Sequence, residues 1–107
     1  MRILEFSVAK QRLTKKSGCD FDGLVAGSVG YLCAKFYFSE NEWHACESRI
    51  ARFWLDDKEY ATLLDEDDSC MIPQEVLTGK RFGVSVIGAA PGYKIETNKT
   101  TVRQEVC

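Results

Sequence analysis

The most informative pattern along the chain is the alternation of apolar and polar side chains in short segments. Residues 31–38 show it best, with apolar side chains at every second position: Leu32, Ala34, Phe36 and Phe38. This period of two predicts a β-strand that buries one face. The same alternation recurs in residues 49–55, 59–64 and 82–87. The sequence therefore predicts a domain built from β-strands.

Turn-forming residues separate these segments. Asp56-Asp57-Lys58 predicts a hairpin turn, and residues 89–92 predict a second turn. Residues 73–77 predict a single helical turn, because proline is tolerated at the first position of a helix. We expect about seven or eight short strands and no longer helix, which is the pattern of an all-β, antiparallel β-sandwich of immunoglobulin-like size.

The length of 107 residues is that of one domain, 1–107. We expect residues 1–30 to form an N-terminal edge strand, a basic hairpin arm and a loop with one weak strand near Leu24, and residues 31–106 to form the core of the sandwich. Trp43 is expected to plug one end of the sheet, and residues 100–106 to form the last strand. The predicted core comprises Leu32, Phe36, Phe38, Trp43, Ala51, Phe53, Leu63, Ile72, Val76, Leu77, Phe82, Val84 and Val86.

Composition and charge narrow the function classes. Apolar residues make up 45% of the chain and charged residues 28%, which excludes a disordered or collagen-like chain. The net charge of −2 provides no field to attract nucleic acid or anionic lipid, so we expect neither as a partner. The charged N-terminus lacks a signal-peptide pattern, and no apolar run has membrane-spanning length, so synthesis in a cytoplasm is expected.

No motif indicates catalysis, and we expect no catalytic residue, cofactor or metal. The five cysteines lack a CxxC pair, so free thiols are expected. His44 and Cys46 are two positions apart, but no orienting carboxylate or amide accompanies them. The acidic run 65–68 lacks the alternating ligands and central glycine of a calcium loop. The chain is therefore predicted not to be an enzyme.

Two groups of residues are candidates for protein contact. The basic run in residues 10–16 is either an arm for an acidic partner or an edge strand protected by its lysines. Large aromatic residues at outward or edge positions often belong to contact surfaces, and we expect Tyr37 and Trp54 to share such a face. The predicted contact residues are Lys10, Arg12, Lys15, Lys16, Tyr37, Trp54 and Tyr93.

A series of ordered segments carries a resemblance to a known family. They are residues 31–38, Trp43, 51–53, 60–65, Cys70-Met71-Ile72-Pro73-Gln74-Glu75-Val76-Leu77, 82–88 and 97–99. In their order and spacing they resemble the N-terminal domain of baseplate upper proteins and related tail structural proteins of phages and prophages of Gram-positive bacteria. The resemblance covers about two thirds of the chain. It implies a small β-sandwich in the virion, without enzymatic activity, that attaches a longer protein to the tail hub.

The sequence departs from that family where the predicted sandwich ends. In the family a receptor-holding or fibrous part follows the domain, whereas this sequence ends at Cys107. The expected partners are other tail or baseplate proteins, or copies of the chain itself. An alternative is a small prophage-encoded inhibitor or regulator that covers a host protein, for example a defence enzyme, with the acidic run 65–68 as its charged surface.

Overall fold

The computed structural model describes residues 1–106, which form two β-sheets around one apolar core and confirm the all-β sandwich. The strands within this range are β1 (Arg2–Ala9), β2 (Arg12–Lys15), β3 (Leu32–Phe38), β4 (Ser48–Leu55), β5 (Lys58–Leu63), β6 (Ser69–Met71), β7 (Arg81–Ala90), β8 (Tyr93–Glu96) and β9 (Thr100–Arg103). Helix α1 (Asn41–His44) follows β3, and the predicted helical turn is a 3-10 turn at Gln74–Thr78.

The strand order explains where the N-terminal segment lies. The four-stranded sheet has the order β2-β1-β3-β6, and the five-stranded sheet has the order β5-β4-β7-β8 with β9 also paired to β7. All pairs are antiparallel except β1 and β3, which run parallel with Phe6 opposite Phe36. A parallel pair needs a long crossover, which the chain between β2 and β3 provides. The predicted antiparallel sandwich thus contains one parallel pair, and β2 rather than β1 is the N-terminal edge strand.

The core extends further toward the N-terminus than the sequence suggested. Leu4, Phe6 and Val8 of β1 and Leu13 of β2 are buried together with the predicted core residues of β3, β4 and β7. The Phe6 ring stacks on Phe36 with their centroids 5.3 Å apart. Residues 1–30 therefore contribute buried side chains to the core between the two sheets.

One predicted core residue lies outside. Leu63 is 63% exposed, because it pairs with Ile50 on the outer side of the five-stranded sheet. The neighbouring Leu64 is buried instead, just after β5 ends, where its N–H donates to the carbonyl of Arg49. Alternation along β5 correctly indicates a strand but does not reveal which of two adjacent leucines faces inward.

The predicted plug at the end of the sandwich is confirmed. Trp43 on α1 is fully buried, with its ring centroid 5.0 Å from that of Phe38. Its indole Nε1 donates to the carbonyl of Lys10 at 2.7 Å. Gly88 leaves the space for the ring, because a Cβ there would lie 2.9 Å from Trp43 Cζ3. The indole thus fills a position that a larger residue on β7 would occupy.

The turns agree with the sequence except near residue 90. The hairpin turn at Asp56 and Asp57 is confirmed, whereas β7 continues through Ala90 and leaves only Pro91-Gly92 for the second turn. Gly92 has a φ of 92°, a conformation that suits glycine. Near Leu24, the expected weak strand is one bridge between Val25 and Glu105. The last strand ends at Arg103 rather than at residue 106.

Side chains from the C-terminal half also cover the free edge of β2. Asn98 accepts a hydrogen bond from the N–H of Leu13 at 2.6 Å and donates to the carbonyl of the same residue at 3.2 Å. The Thr100 hydroxyl donates to that carbonyl as well, at 2.6 Å. The amide of Asn98 thereby takes the place of a neighbouring strand and links the two sheets.

Candidate contact site

Trp54 lies on the outer face of the five-stranded sheet, near the end of β4. Along β4, Ala51 and Phe53 point into the core, so Arg52 and Trp54 point outward. The Trp54 indole Nε1 donates to the Ser85 hydroxyl at 3.1 Å, which fixes the ring on the sheet. Its π-face is approached by two cations, the guanidinium of Arg52 at 5.5 Å and Nζ of Lys99 at 4.0 Å from the ring centroid.

Gly83 allows Lys99 to reach the tryptophan. Gly83 lies directly opposite Trp54 in the pairing of β4 with β7. A Cβ at this position would lie 2.8 Å from Cδ and 2.9 Å from Cγ of Lys99. The bare backbone of Gly83 is therefore the groove in which the aliphatic part of the lysine lies, with its ammonium group over the indole.

A shallow pocket of about 200 Å³ opens beside this contact. Its lining consists of Trp54, Asp56, Arg81, Phe82, Gly83, Lys99 and Thr101, and we call it the Trp54 pocket. Arg81 is directly opposite Arg103 in the pairing of β7 with β9. Both arginines are exposed and point to the same outer face. The pocket lining thus carries two positive charges, Arg81 and Lys99, and one negative charge, Asp56. Arg103 adds a third positive charge just outside the lining, opposite Arg81.

Asp56 also lines the pocket, but its carboxylate forms no ion pair with these cations. Within residues 1–106, no carboxylate oxygen lies within 4.0 Å of the charged nitrogens of Arg81, Lys99 or Arg103. Arg52 differs, because it forms an ion pair with Glu96 at 2.7 Å. Like charges directly opposite on neighbouring strands destabilise a sheet. The local arrangement therefore favours an anion that would offset the repulsion.

The same outer face carries an apolar row next to the charged region. Leu63, Ile50 and Ile87 lie side by side on β5, β4 and β7 in the strand pairing. Leu63 is largely exposed and the two isoleucines are partly exposed. The face thus combines exposed aliphatic side chains with an aromatic anchor and cations, the composition typical of protein interfaces.

The outer face of the four-stranded sheet carries a second aromatic residue between cations. Nζ of Lys16 lies 5.1 Å and Nζ of Lys35 lies 5.6 Å from the ring centroid of Tyr37. The Tyr37 hydroxyl donates to the Glu5 carboxylate at 2.5 Å, and this bond raises the pKa of Tyr37 above its ordinary value. In this group, which we call the Tyr37 cluster, Lys35 also forms an ion pair with Asp67 at 3.9 Å.

Tyr37 and Trp54 do not share one face, and this prediction was wrong. β3 belongs to the four-stranded sheet and β4 to the five-stranded sheet, so the two aromatic residues lie on opposite outer sides of the sandwich. Alternation within each strand correctly places both residues outward. It does not indicate which strands share a sheet.

The predicted basic arm is a hairpin at the sheet edge. Lys10 lies at its turn with a φ of 57°, and its N–H donates to the Glu40 carboxylate at 2.7 Å. Lys15 lies over the Phe21 ring at 5.3 Å. Arg12 is exposed on β2. Together with Lys16 over Tyr37, these contacts distribute the basic residues of the run over different surfaces.

Tyr93 lies at the end of the sandwich, apart from both outer faces. Its hydroxyl donates to the carbonyl of Glu42 at 2.9 Å and thereby ties β8 to α1. Desolvation and the neighbouring Cys46 thiol raise the pKa of Tyr93. Tyr93 therefore holds α1 against the sheet.

The cations in and beside the Trp54 pocket were not among the contact residues predicted from the sequence. Alternation along β7 and β9 could have placed Arg81 and Arg103 outward. Their direct opposition depends on strand register, and the position of Lys99 depends on the groove at Gly83. Neither is visible as a spacing in the sequence.

The other groups weighed for chemistry make local hydrogen bonds. A ring nitrogen of His44 lies 3.0 Å from the carbonyl of Phe38, whereas the Cys46 thiol donates to the carbonyl of Glu42 at 3.3 Å. In the acidic run, Asp68 pairs with Arg49 at 2.8 Å, and other carboxylates bind Ser69. Among residues 1–106, no three potential metal ligands are grouped.

No known protein family, curated protein or solved structure matches the chain. Neither helical segment in residues 1–106 is long and apolar enough to span a bilayer.

Proposed function

We propose that the chain is a non-enzymatic structural or adaptor domain of a phage or prophage tail that acts by protein contact. The observation that carries this proposal is the outer face of the five-stranded sheet. It places the apolar row of Leu63, Ile50 and Ile87 on the same surface as the Trp54 pocket. The partner would be another tail or baseplate protein, or a second copy of the chain.

The physical argument rests on how protein interfaces gain affinity. A few large side chains, tryptophan and arginine above all, contribute most of the binding free energy, and surrounding apolar contacts exclude water. Trp54 is held by its bond to Ser85, so little side-chain entropy is lost when a partner covers it. Leu63 and Ile50 provide the apolar surroundings on the same face.

The assignment to a tail is supported by the resemblance of the ordered segments to baseplate proteins. The most distinctive of these segments, Cys70–Leu77, forms β6 and the 3-10 turn, where Val76 and Leu77 are buried. The segment that follows, residues 82–88, lies in β7 at the centre of the five-stranded sheet. Both segments are part of the scaffold that displays the proposed contact face.

The first test is mass spectrometry of purified particles from an induced lysate of the source strain. We expect the chain to copurify with tail proteins in a fixed ratio. Absence from particles, together with clear presence in the infected cytoplasm, would overturn the tail role and favour the inhibitor of a host protein instead.

A pair of variants tests the contact face itself. Trp54→Ala removes the aromatic anchor on the five-stranded sheet, and Tyr37→Ala removes the corresponding residue on the opposite side. Loss of particle incorporation in Trp54→Ala but not in Tyr37→Ala supports the proposed face, provided that both variants keep the wild-type melting temperature. Equal incorporation of the two variants would contradict it.

A further inference from the structure

The Trp54 pocket has a charge arrangement that the packing of the chain does not account for. Arg81 and Arg103 are directly opposite each other, and Lys99 extends over the neighbouring Gly83 toward Trp54. Within residues 1–106 these three cations have no carboxylate partner within 4.0 Å. A bound anion would remove the repulsion and gain charge-assisted hydrogen bonds.

A buried donor near the indole also lacks a hydrogen-bond partner within residues 1–106. The guanidinium of Arg52 lies 5.5 Å from the centroid of the indole. Its Nε is buried and has no hydrogen-bond partner in the described chain, although its Nη2 is paired with Glu96. A buried donor without a partner costs free energy. Arg52 thus adds one unpaired donor close to Trp54.

The surroundings favour a short acidic peptide segment over nucleic acid. Asp56 lines the pocket and Glu59 pairs with Trp54 on β5, so negative charges border the cations. A phosphate backbone extending along the face would meet these carboxylates, and the net charge of −2 adds no attraction at long range. A short segment with two or three carboxylates would bring fewer negative charges near Asp56 and Glu59 than an extended phosphate backbone would.

We propose that the Trp54 pocket binds the carboxylates of an acidic segment of a partner protein, through Arg81, Lys99 and Arg103. This inference rests on the proposed function, because it names the chemistry of the partner at the same face. The apolar row lies four residues along β4 from Trp54, at Ile50, a separation of about 13 Å. An acidic segment flanked by apolar residues would therefore cover both parts of the face.

The test is an NMR titration of the full chain with a blocked hexaglutamate peptide. The reporter is the indole N–H of Trp54, and the indole N–H of the buried Trp43 serves as an internal reference. We expect hexaglutamate to shift the Trp54 signal until saturation and hexaglutamine to leave it unchanged. The affinity should fall as salt is added, since the contacts are exposed ion pairs.

Two double variants with the same change in net charge locate the site. Arg81→Gln with Arg103→Gln should weaken hexaglutamate binding about tenfold, equivalent to about 1.4 kcal/mol. Lys16→Gln with Lys35→Gln removes two cations from the Tyr37 cluster and should leave the affinity unchanged. An unchanged Trp43 signal in both proteins shows that the fold is retained.

Several results would overturn the inference. They are a Trp54 signal that does not respond to hexaglutamate, an equal loss of affinity in both double variants, or a stronger response to single-stranded oligothymidine of equal charge. Particle incorporation is measured separately. Double variants that still enter particles, without hexaglutamate binding by the wild type, would refute the acidic ligand and leave the tail role intact. Hexaglutamate binding by a chain absent from particles would refute the tail role and leave the acidic ligand intact.

Discussion

The two outer faces of the sandwich carry the same local arrangement and differ in charge balance. On each face an aromatic side chain lies between two cations, Tyr37 on one and Trp54 on the other. In the Tyr37 cluster, the Glu5 carboxylate accepts a hydrogen bond from the phenol, and Asp67 pairs with Lys35. In the Trp54 pocket, Glu96 pairs with Arg52 only. We therefore base the proposed contact site on the unpaired cations beside Trp54 rather than on the exposure of an aromatic residue.

The largest expected effect tests whether the core side chains beneath the two faces contribute equally to the free energy of unfolding. Phe36 backs the four-stranded sheet and Phe82 backs the five-stranded sheet, and both are 1% exposed. Replacing either with alanine should lower the free energy of unfolding by about 3–5 kcal/mol. Chemical denaturation measures both losses. A loss below about 1 kcal/mol for only one variant would show that the two faces differ in their packing as well as in their charges.

Two glycines of β7 face opposite sides of the sheet, Gly88 the core and Gly83 the outer face. Gly88→Ala places a Cβ 2.7 Å from Cys46 Sγ and 2.9 Å from the buried Trp43 ring, which should cost about 1–3 kcal/mol. Gly83→Ala meets the aliphatic part of Lys99 on the outer face instead, so the side chain can swing away with little loss of stability. We expect Gly83→Ala to move the Trp54 indole signal. Equal melting temperatures of the two variants would contradict this distinction.

Glu5→Gln should make the Tyr37 cluster resemble the Trp54 pocket. The Glu5 carboxylate holds the pKa of Tyr37 above its ordinary value of 10.0. Glu5→Gln should lower the pKa of Tyr37. NMR signals of the Tyr37 ring, recorded during an alkaline titration, measure this pKa. Because the pKa of the folded state is raised, this contribution to stability is complete below pH 10 and is lost as the pH rises through the folded-state pKa.

The same Glu5→Gln variant also tests why carboxylate binding is proposed for the Trp54 pocket and not for the Tyr37 cluster. With the carboxylate gone, Lys16 and Lys35 remain beside an aromatic ring, and we expect weak hexaglutamate binding at Tyr37. Glu5→Asp provides the control, since it retains the charge. If the Tyr37 ring signals of Glu5→Gln do not respond to hexaglutamate, charge balance alone does not explain the difference between the faces.

The smallest effect concerns the two opposed arginines. Arg103→Gln should raise the free energy of unfolding by about 0.5 kcal/mol, because it removes a like-charge pair across two strands. The melting temperature should rise by about 2 °C. Arg12→Gln changes the net charge equally at a position opposite Ala9 and should have no effect. A decrease in stability of Arg103→Gln would show that the arginines do not repel each other in the free protein.

Much of the fold follows from local sequence patterns. Alternation in residues 31–38 gives both the extent of β3 and its buried face, and the acidic turn at Asp56 gives the hairpin of β4 and β5. These features are local, because neighbouring residues alone determine which side chains share a strand face and where the chain turns. The burial of Trp43 was also predicted, from its position beyond the end of β3.

The remaining features depend on contacts between distant parts of the chain. The parallel pairing of β1 with β3, the exposure of Leu63 and the opposite placement of Tyr37 and Trp54 all follow from sheet order and register. Register also determines the candidate site, since Arg81 faces Arg103 only when β7 and β9 are aligned. A sequence pattern within one strand contains no information about these alignments.

The links between the first and last parts of the chain have a consequence for protein synthesis. The N–H of Glu105 donates to the carbonyl of Leu24, and the N–H of Ala26 donates to the carbonyl of Glu105. Asn98 covers the backbone of Leu13 in the same way. During translation, β1 and β2 are made long before these partners, and such distant pairings make folding slow. We expect a nascent chain to remain sensitive to protease until residue 105 has left the ribosome.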